Sequence, residues 1–79
     1  MDQIATFHTH FGAISFEKRL RALGDAPVLM PVPRRLSASC GTCVRFGLPF
    51  SPALADEELD RVYGVADGEY PLLFENTEG

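Results

Sequence analysis

Hydrophobic and polar positions follow two different periods along the chain. Four short stretches rich in β-branched and aromatic residues, two of them with clear alternation, have the pattern of strands. These strands are predicted at residues 3–8, 28–32, 42–47 and 70–75. Two longer stretches, residues 9–23 and 51–63, place apolar side chains at helical spacing and are each followed by a glycine, which commonly ends a helix. The pattern therefore predicts the element order β-α-β-β-α-β.

The prolines indicate where each predicted strand lies in the sheet. Pro27, Pro31 and Pro33 are separated by even numbers of residues along the second strand, so their backbone nitrogens all point to the same edge of that strand. Because proline has no N–H group, that edge lacks hydrogen-bond donors at all three positions. The last strand also contains a proline, Pro71, whereas the first and third strands contain none. We therefore predict an α+β fold class, a ferredoxin-like sandwich with antiparallel sheet order 4-1-3-2 and both helices on one face.

Length and charge limit the classes of protein that fit this chain. Seventy-nine residues, 46% of them hydrophobic, predict one ferredoxin-like domain over residues 1–79 with a single small core. The net charge of -4 argues against binding to nucleic acid or to an anionic membrane. No apolar run approaches the roughly 20 residues of a membrane span, and the first residues lack the pattern of a signal peptide. We expect a cytoplasmic protein that needs no cofactor.

The candidate chemistry lies at Cys40 and Cys43, which form a Cys-x-x-Cys spacing. In an extended strand their Cα atoms would be about 10 Å apart, which exceeds the roughly 7 Å that a disulfide allows. Gly41, which tolerates positive φ, permits a turn that would bring the two thiols together. Because Cys40 lies on this turn and Cys43 in the strand, we predict Cys40 as the nucleophile and Cys43 as the resolving thiol.

Positive charge near the thiols comes from the arginines around them. Arg34, Arg35 and Arg45 would stabilise a thiolate, as would the N–H groups of residues 37–41 if that loop forms an anion-binding nest. A strand-like run follows Cys43 where a thioredoxin-type site would have a helix, so that fold is not expected. We therefore assign the three arginines and Gly41 to stabilisation of an anion at the thiols.

Three short motifs resemble the family of selenium/sulfur carrier protein-like domains. They are residues 31–34 (Pro-Val-Pro-Arg), 37–41 (Ser-Ala-Ser-Cys-Gly) and 44–46 (Val-Arg-Phe). The Phe-His-Thr strand end and the helix that follows it are similar too. The resemblance implies a cytosolic bacterial domain with Cys40 at the family's cysteine position. Cys43 departs from the family pattern, which often has a small or apolar residue there.

The resemblance also implies a function. Cys40 would take a sulfur or selenium atom from a donor protein and hand it to an acceptor protein. The domain would then be a stoichiometric carrier rather than an enzyme. Cys43 would release the cargo by forming a disulfide with Cys40.

Two other interpretations of the cysteines compete with the carrier. In the first, both cysteines are structural residues of a hairpin. The domain is then a noncatalytic protein-interaction or small-ligand regulatory module, which would form a homodimer through a sheet edge or the uncovered sheet face. In the second, His8 and His10 join Cys40 and Cys43 in a Cys2His2 zinc site. Each histidine alone is more typical of a surface residue than of a ligand.

Overall fold

The computed structural model describes residues 2–36 and 40–77, and within them it contains one α-helix and five strands. The strands are β1 (Gln3–Phe7), β2 (Val28–Pro31), β3 (Thr42–Phe46), β4 (Leu59–Gly64) and β5 (Leu72–Glu75). The helix, α1, spans His10–Ala22. The sheet is antiparallel throughout, in the order β2-β3-β1-β4-β5. The predicted α+β class is confirmed.

Helix α1 begins and ends at the predicted signals. The hydroxyl of Thr9, the N-cap, accepts a hydrogen bond from the backbone N–H of Gly12. Gly24 follows the helix with a φ of 94°, a left-handed conformation that glycine adopts without steric strain. Between these ends, α1 packs against β1, β2 and β3. In the described part of the chain no helix is long and apolar enough to span a lipid bilayer.

The main core fills the space between α1 and the sheet. Phe16 of α1 is fully buried, and its ring centroid lies 5.1 Å from that of Phe7 and 5.3 Å from that of Phe46. The other buried members of this cluster are Ala5, Ala13, Leu20, Val44, Leu59 and Val62. Burying one large apolar side chain stabilises a fold by about 1.5 to 3 kcal/mol. The aromatic cluster therefore fixes α1 across the central strands.

The predicted helix over residues 51–63 is wrong. Residues Pro52–Leu54 form a 3-10 turn, and the chain then continues into β4, which pairs with β1. The register of this pairing skips Asp60, so the strand is bulged at that residue. Because of the bulge, Leu59 and Val62 both face the core although they are three positions apart. A bulged strand thus produces the spacing that we assigned to a helix face.

The predicted sheet order 4-1-3-2 is wrong because of this additional strand. β4 takes the position beside β1, and the last predicted strand, now β5, pairs with the outer side of β4. The neighbours β2, β3 and β1 do lie in the predicted order. With one helix and five strands in the described residues, the chain lacks the ferredoxin-like arrangement of two helices on four strands. The extent of the domain, residues 1–79, stays a prediction.

The prolines mark an edge strand, as predicted. The N–H of Val32 donates to the carbonyl of Gly41 at 3.1 Å, so the even-numbered residues along this strand direct their N–H groups toward β3. Pro31 and Pro33 have the opposite parity and lie toward the free edge, where no donor is needed. β2 and β5 are the two edges, and the proline-free β1 and β3 lie inside the sheet.

The sheet face that points away from α1 is covered at its centre. Ala5 and Val44 face the core, so their neighbours Ile4, Thr6 and Cys43 belong to the other face. At most 1% of each of these three residues is exposed. Since α1 lies on the opposite side, another part of the chain must cover them.

Residues 32–36, which follow β2, reach the turn between β4 and β5 through one side chain. The Nη1 atom of Arg35 donates to the carbonyl of Gly68 at 3.0 Å and lies 3.7 Å from a carboxylate oxygen of Glu69. Gly68 lies in the turn that leads to β5, and β2 and β5 form opposite edges of the sheet. Arg35 therefore connects the segment after β2 with the turn beside the other edge strand.

Candidate functional site

Cys40 lies immediately before β3, at the end of the sheet where β1 stops. It is half-buried, packs against the main core, and its Sγ donates to the carbonyl of Thr42 at 3.3 Å. The next residue, Gly41, has a φ of 73°, so the backbone bends in the left-handed region between the two cysteines. This bend places Cys40 outside the strand ladder with part of its surface open to solvent.

Cys43 has a different environment. Its side chain is 0% exposed, and its Sγ lies 3.6 Å from the carbonyl oxygen of Pro31. Burial, with a smaller contribution from the charge of Cys40, raises the pKa of the Cys43 thiol from 9.0 to about 11. At neutral pH this side chain is therefore a protonated, inaccessible thiol.

The two thiols lie on different sides of the sheet. Cys40 packs against the core under α1, whereas Cys43 lies on the other face, opposite Thr6 and Met30 in the neighbouring strands. Both cysteines are free thiols in this structure. A disulfide between them would require the start of β3 to rearrange, so the role of Cys43 as resolving thiol stays a prediction.

Near Cys40 lie His10, which we predicted only as a zinc ligand, and Thr42, which we did not predict as part of the site. The Nδ1 of His10 is 3.1 Å from the hydroxyl of Thr42, whose carbonyl accepts the Cys40 hydrogen bond. His10 is the first residue of α1, so the positive end of the helix dipole lies at the start of β3. One feature of the sequence could have predicted that the start of α1 lies near the start of β3, namely the expected antiparallel pairing of the first and third strands. In such a pair the end of one strand lies beside the start of the other.

Two of the three predicted arginines are paired with acidic residues. Arg35 is bound to the turn between β4 and β5 through Gly68 and Glu69, and the Nε of Arg45 donates to Asp2 at 2.8 Å. Arg45 also lies five residues along the chain from Cys40, near the far end of β3. Arg34 is exposed in the turn after β2, and no hydrogen bond or ion pair holds it within the described residues. The serines of the Ser-Ala-Ser-Cys-Gly motif lie outside the described residues.

A sequence comparison identifies the family. The model of a family described as "Putative Se/S carrier protein-like" matches residues 2–62. The chain belongs to this family. The match spans α1 and the first three strands, with both cysteines and Gly41, and ends within β4. Comparisons with curated proteins and with solved structures found no match.

In this selenium/sulfur carrier protein-like chain, the predicted zinc ligands do not come together. No group of three or more His, Cys, Asp or Glu side chains within residues 2–36 and 40–77 is placed to hold a metal ion. His10 contacts Thr42 instead, and Cys43 lies on the other sheet face. The Nε2 of His8 is buried without a hydrogen-bond partner. The geometry therefore gives the Cys2His2 interpretation no support.

We expect the stability of the carrier-like domain to fall between about pH 9 and pH 11 because of Cys43. Its pKa is raised from 9.0 to about 11 on folding, so the folded state holds the thiol proton more tightly than the unfolded chain. The resulting stabilisation is fully present below about pH 9 and is lost as the pH rises toward 11. Its upper limit is about 3 kcal/mol.

Denaturant unfolding across this pH range, with Cys43→Ala as the control, measures the effect. The variant lacks the thiol, so its free energy of unfolding should decline less steeply than that of the wild type. Equal declines in the two proteins would contradict a raised pKa at Cys43.

Proposed function

We propose that this domain is a thiol-based carrier of sulfur or selenium in which Cys40 holds the transferred atom. The observation that carries the proposal is the contrast between the two cysteines. Cys40 is partly exposed at the end of the sheet, whereas Cys43 is fully buried with its pKa raised to about 11. Only a thiolate is an effective nucleophile, and it must also reach its partner. The family description agrees with a carrier role for the accessible thiol.

The chemistry at Cys40 is a pair of exchange reactions. The Cys40 thiolate attacks the outer sulfur of a donor persulfide, R–S–SH. A bond forms between the Cys40 Sγ and that sulfur while the donor S–S bond breaks, and the donor leaves as the thiolate R–S⁻. An acceptor thiolate then attacks the same sulfur and returns Cys40 to its thiolate form. No external oxidant or reductant is needed.

The N-terminus of α1 and a nearby carboxylate have opposite effects on an anion at this site. The N-terminus of α1 and the imidazole of His10 lie next to Thr42, and a helix N-terminus stabilises negative charge. The carboxylate of Glu58, which accepts a hydrogen bond from the Thr9 hydroxyl, offsets part of this effect. Of the three predicted arginines, we retain Arg34 as the candidate cation because the other two are bound to acidic residues.

The proposed partners are the donor and acceptor proteins of the cargo. Phe11, next to His10 in the first turn of α1, is 74% exposed. A large aromatic side chain this exposed next to the thiol site offers an apolar contact for a docking protein. We propose that partners approach Cys40 across this turn.

The alternative of a noncatalytic interaction module is favoured by the edge strands. Leu72 and Leu73 of β5 are each about half-exposed, as is Val28 of β2. Apolar side chains on an unpaired strand provide a surface for association. The predicted homodimer and the cytoplasmic location stay predictions.

Sulfur loading tests the proposal directly. Incubation of the reduced protein with inorganic polysulfide should add one sulfur atom at Cys40, seen by intact mass and peptide mapping. Addition of a small acceptor thiol should then remove that atom and restore the original mass. A native protein whose accessible Cys40 acquires no sulfur would contradict the carrier function.

A further inference from the structure

We propose that His10 is the proton-transfer residue for sulfur exchange at Cys40. It accepts the proton of the Cys40 thiol as that sulfur attacks the donor, and it gives the proton to the sulfur that leaves. This inference rests on the proposed carrier function of Cys40. It adds a second side chain to the reaction, one that acts by gaining and losing a proton.

His10 and Cys40 contact the same residue, Thr42. The Nδ1 of His10 lies 3.1 Å from the Thr42 hydroxyl, and the Sγ of Cys40 lies 3.3 Å from the Thr42 carbonyl oxygen. Val44, two positions further along β3, faces the core under α1, so the Thr42 side chain points toward α1 as well. Cys40 packs against the same core. The imidazole and the thiol therefore lie on one side of the sheet, beside a single residue.

The first turn of α1 is held in place from the side of β4. The Thr9 hydroxyl donates to the carboxylate of Glu58, and the backbone N–H of His8 donates to the Glu58 carbonyl at 2.9 Å. A Cβ at Gly12 would lie 2.6 Å from the Cβ of Glu58, closer than two carbon atoms can pack. A glycine inside a helix costs about 1 kcal/mol relative to alanine, and this contact explains why α1 contains one. The position of His10 is thereby fixed between β4 and β3.

His10 is also free to act on a sulfur that arrives at Cys40. Its side chain is exposed, and histidine is the side chain that exchanges protons most readily near neutral pH. Its contact with the Thr42 hydroxyl lies at the surface. Exposed side chains change rotamer within nanoseconds, so the ring can turn from the hydroxyl toward the reacting sulfur.

Within the described residues, the other ionisable side chains at this end of the sheet do not fit the role. The Nε2 of His8 and the thiol of Cys43 are buried. Guanidinium groups do not release a proton in proteins, and carboxylates are weaker bases than imidazole. These two classes are represented here by Arg34, Arg35, Asp56, Glu57, Glu58 and Asp60. Residues 37–39 are Ser-Ala-Ser and contribute no ionisable side chain.

The step balances without an external oxidant or reductant. The Cys40 Sγ forms a bond to the outer sulfur of a donor persulfide, R–S–SH, while its proton passes to the neutral imidazole of His10. The donor S–S bond breaks and its electron pair stays on the leaving sulfur. The imidazolium then protonates that sulfur, so the donor departs as R–SH and His10 is neutral again. The same two proton transfers, run toward an acceptor thiol, unload the carried atom.

We expect His10 to matter most for donors with a poor leaving group, because a basic alkyl thiolate gains from protonation as it leaves and an acidic aromatic thiolate does not. In a Cys43→Ala background, His10→Gln should slow sulfur uptake from cysteine persulfide about tenfold. It should slow the reactions of Cys40 with dithiobis(nitrobenzoic acid) and with iodoacetamide by no more than about twofold, since neither leaving group needs a proton. Intact mass and stopped-flow absorbance measure the three rates.

Two further variants separate proton transfer from local structure. Lys18→Gln removes another exposed titratable side chain about two turns further along α1 and should leave all three rates unchanged. Thr42→Val removes the hydroxyl that His10 contacts but keeps a β-branched side chain. Because the imidazole is still present, Thr42→Val should slow uptake from cysteine persulfide less than His10→Gln does. Denaturant unfolding of each variant checks that the fold is retained.

The ratio of the three rates decides between the outcomes. A slowing by His10→Gln that is largest for cysteine persulfide supports proton transfer by His10. Equal slowing of all three reactions, or no slowing, would overturn the inference and leave Cys40 as the carrier thiol. If the wild type takes up no sulfur from cysteine persulfide, the carrier function itself fails and the inference falls with it.

Discussion

Replacing Cys40 with serine is expected to abolish uptake of sulfane sulfur by the native protein, whereas replacing Cys43 with alanine should leave uptake largely unchanged. Cys40 is the accessible thiol, and Cys43 is buried with a pKa of about 11. At pH 7 that pKa leaves about one Cys43 side chain in ten thousand ionised. Burial lowers its reactivity further. Intact mass after exposure to polysulfide measures the uptake.

Competition with an alkylating reagent provides the control for this experiment. One equivalent of iodoacetamide should modify Cys40 first and block later loading in the wild type and in Cys43→Ala. Full denaturation should expose Cys43 and make both cysteines of the wild type react. Loading of Cys40→Ser at the wild-type level, or preferential alkylation of Cys43 in the folded protein, would show that the site is assigned to the wrong thiol.

The largest loss of stability is expected for Phe16→Ala. The substitution removes the ring that contacts both Phe7 and Phe46 and leaves a cavity under α1, which typically costs about 3 to 5 kcal/mol. A chain of this length is stable by only about 4 to 12 kcal/mol. The variant should therefore lose a large fraction of its free energy of unfolding and unfold at a much lower denaturant concentration than the wild type. Denaturant titration followed by circular dichroism measures the change.

Phe11→Ala is the matched control on the same helix. Phe11 is 74% exposed, so its removal should change the free energy of unfolding by no more than about 0.5 kcal/mol. A loss below about 1 kcal/mol for Phe16→Ala would mean that the aromatic cluster does not hold α1 on the sheet. Comparable losses for the two variants would lead to the same conclusion.

The stability of this cluster also bears on the thiol site. Cys40 packs against the same core, and His10 at the start of α1 contacts Thr42 at the start of β3. The helix and the strand therefore position the thiol jointly. Weakening the packing of α1 should loosen both sides of the site at once, which makes surface variants the better choice for testing chemistry at Cys40.

Residues 55–63 show why pattern alone misassigned an element. Leu59 and Val62 are three positions apart, which is the spacing of a helix face. Their actual common face results from the bulge at Asp60, and a bulge forms in response to the pairing partner. That partner is β1, which lies about fifty residues away in the chain. The local sequence contains no information on this register.

What the sequence by itself determined about this protein was local. The Thr9 cap, the glycine stop at Gly24 and the parity of Pro31 and Pro33 act within a few residues, so α1 and the edge position of β2 followed from them. The motifs around Cys40 likewise indicated the family that the sequence comparison shows.

The tertiary structure alone decided which thiol is accessible and what surrounds it. Cys40 lies outside the strand ladder at the bend before β3 and is partly exposed, whereas Cys43 lies within β3, in the interior of the sheet, and is fully buried. Arg35 contacts Gly68 and Glu69, which lie more than thirty residues further along the chain. Burial and long-range contacts depend on how distant segments pack together, and no short stretch of residues encodes that packing.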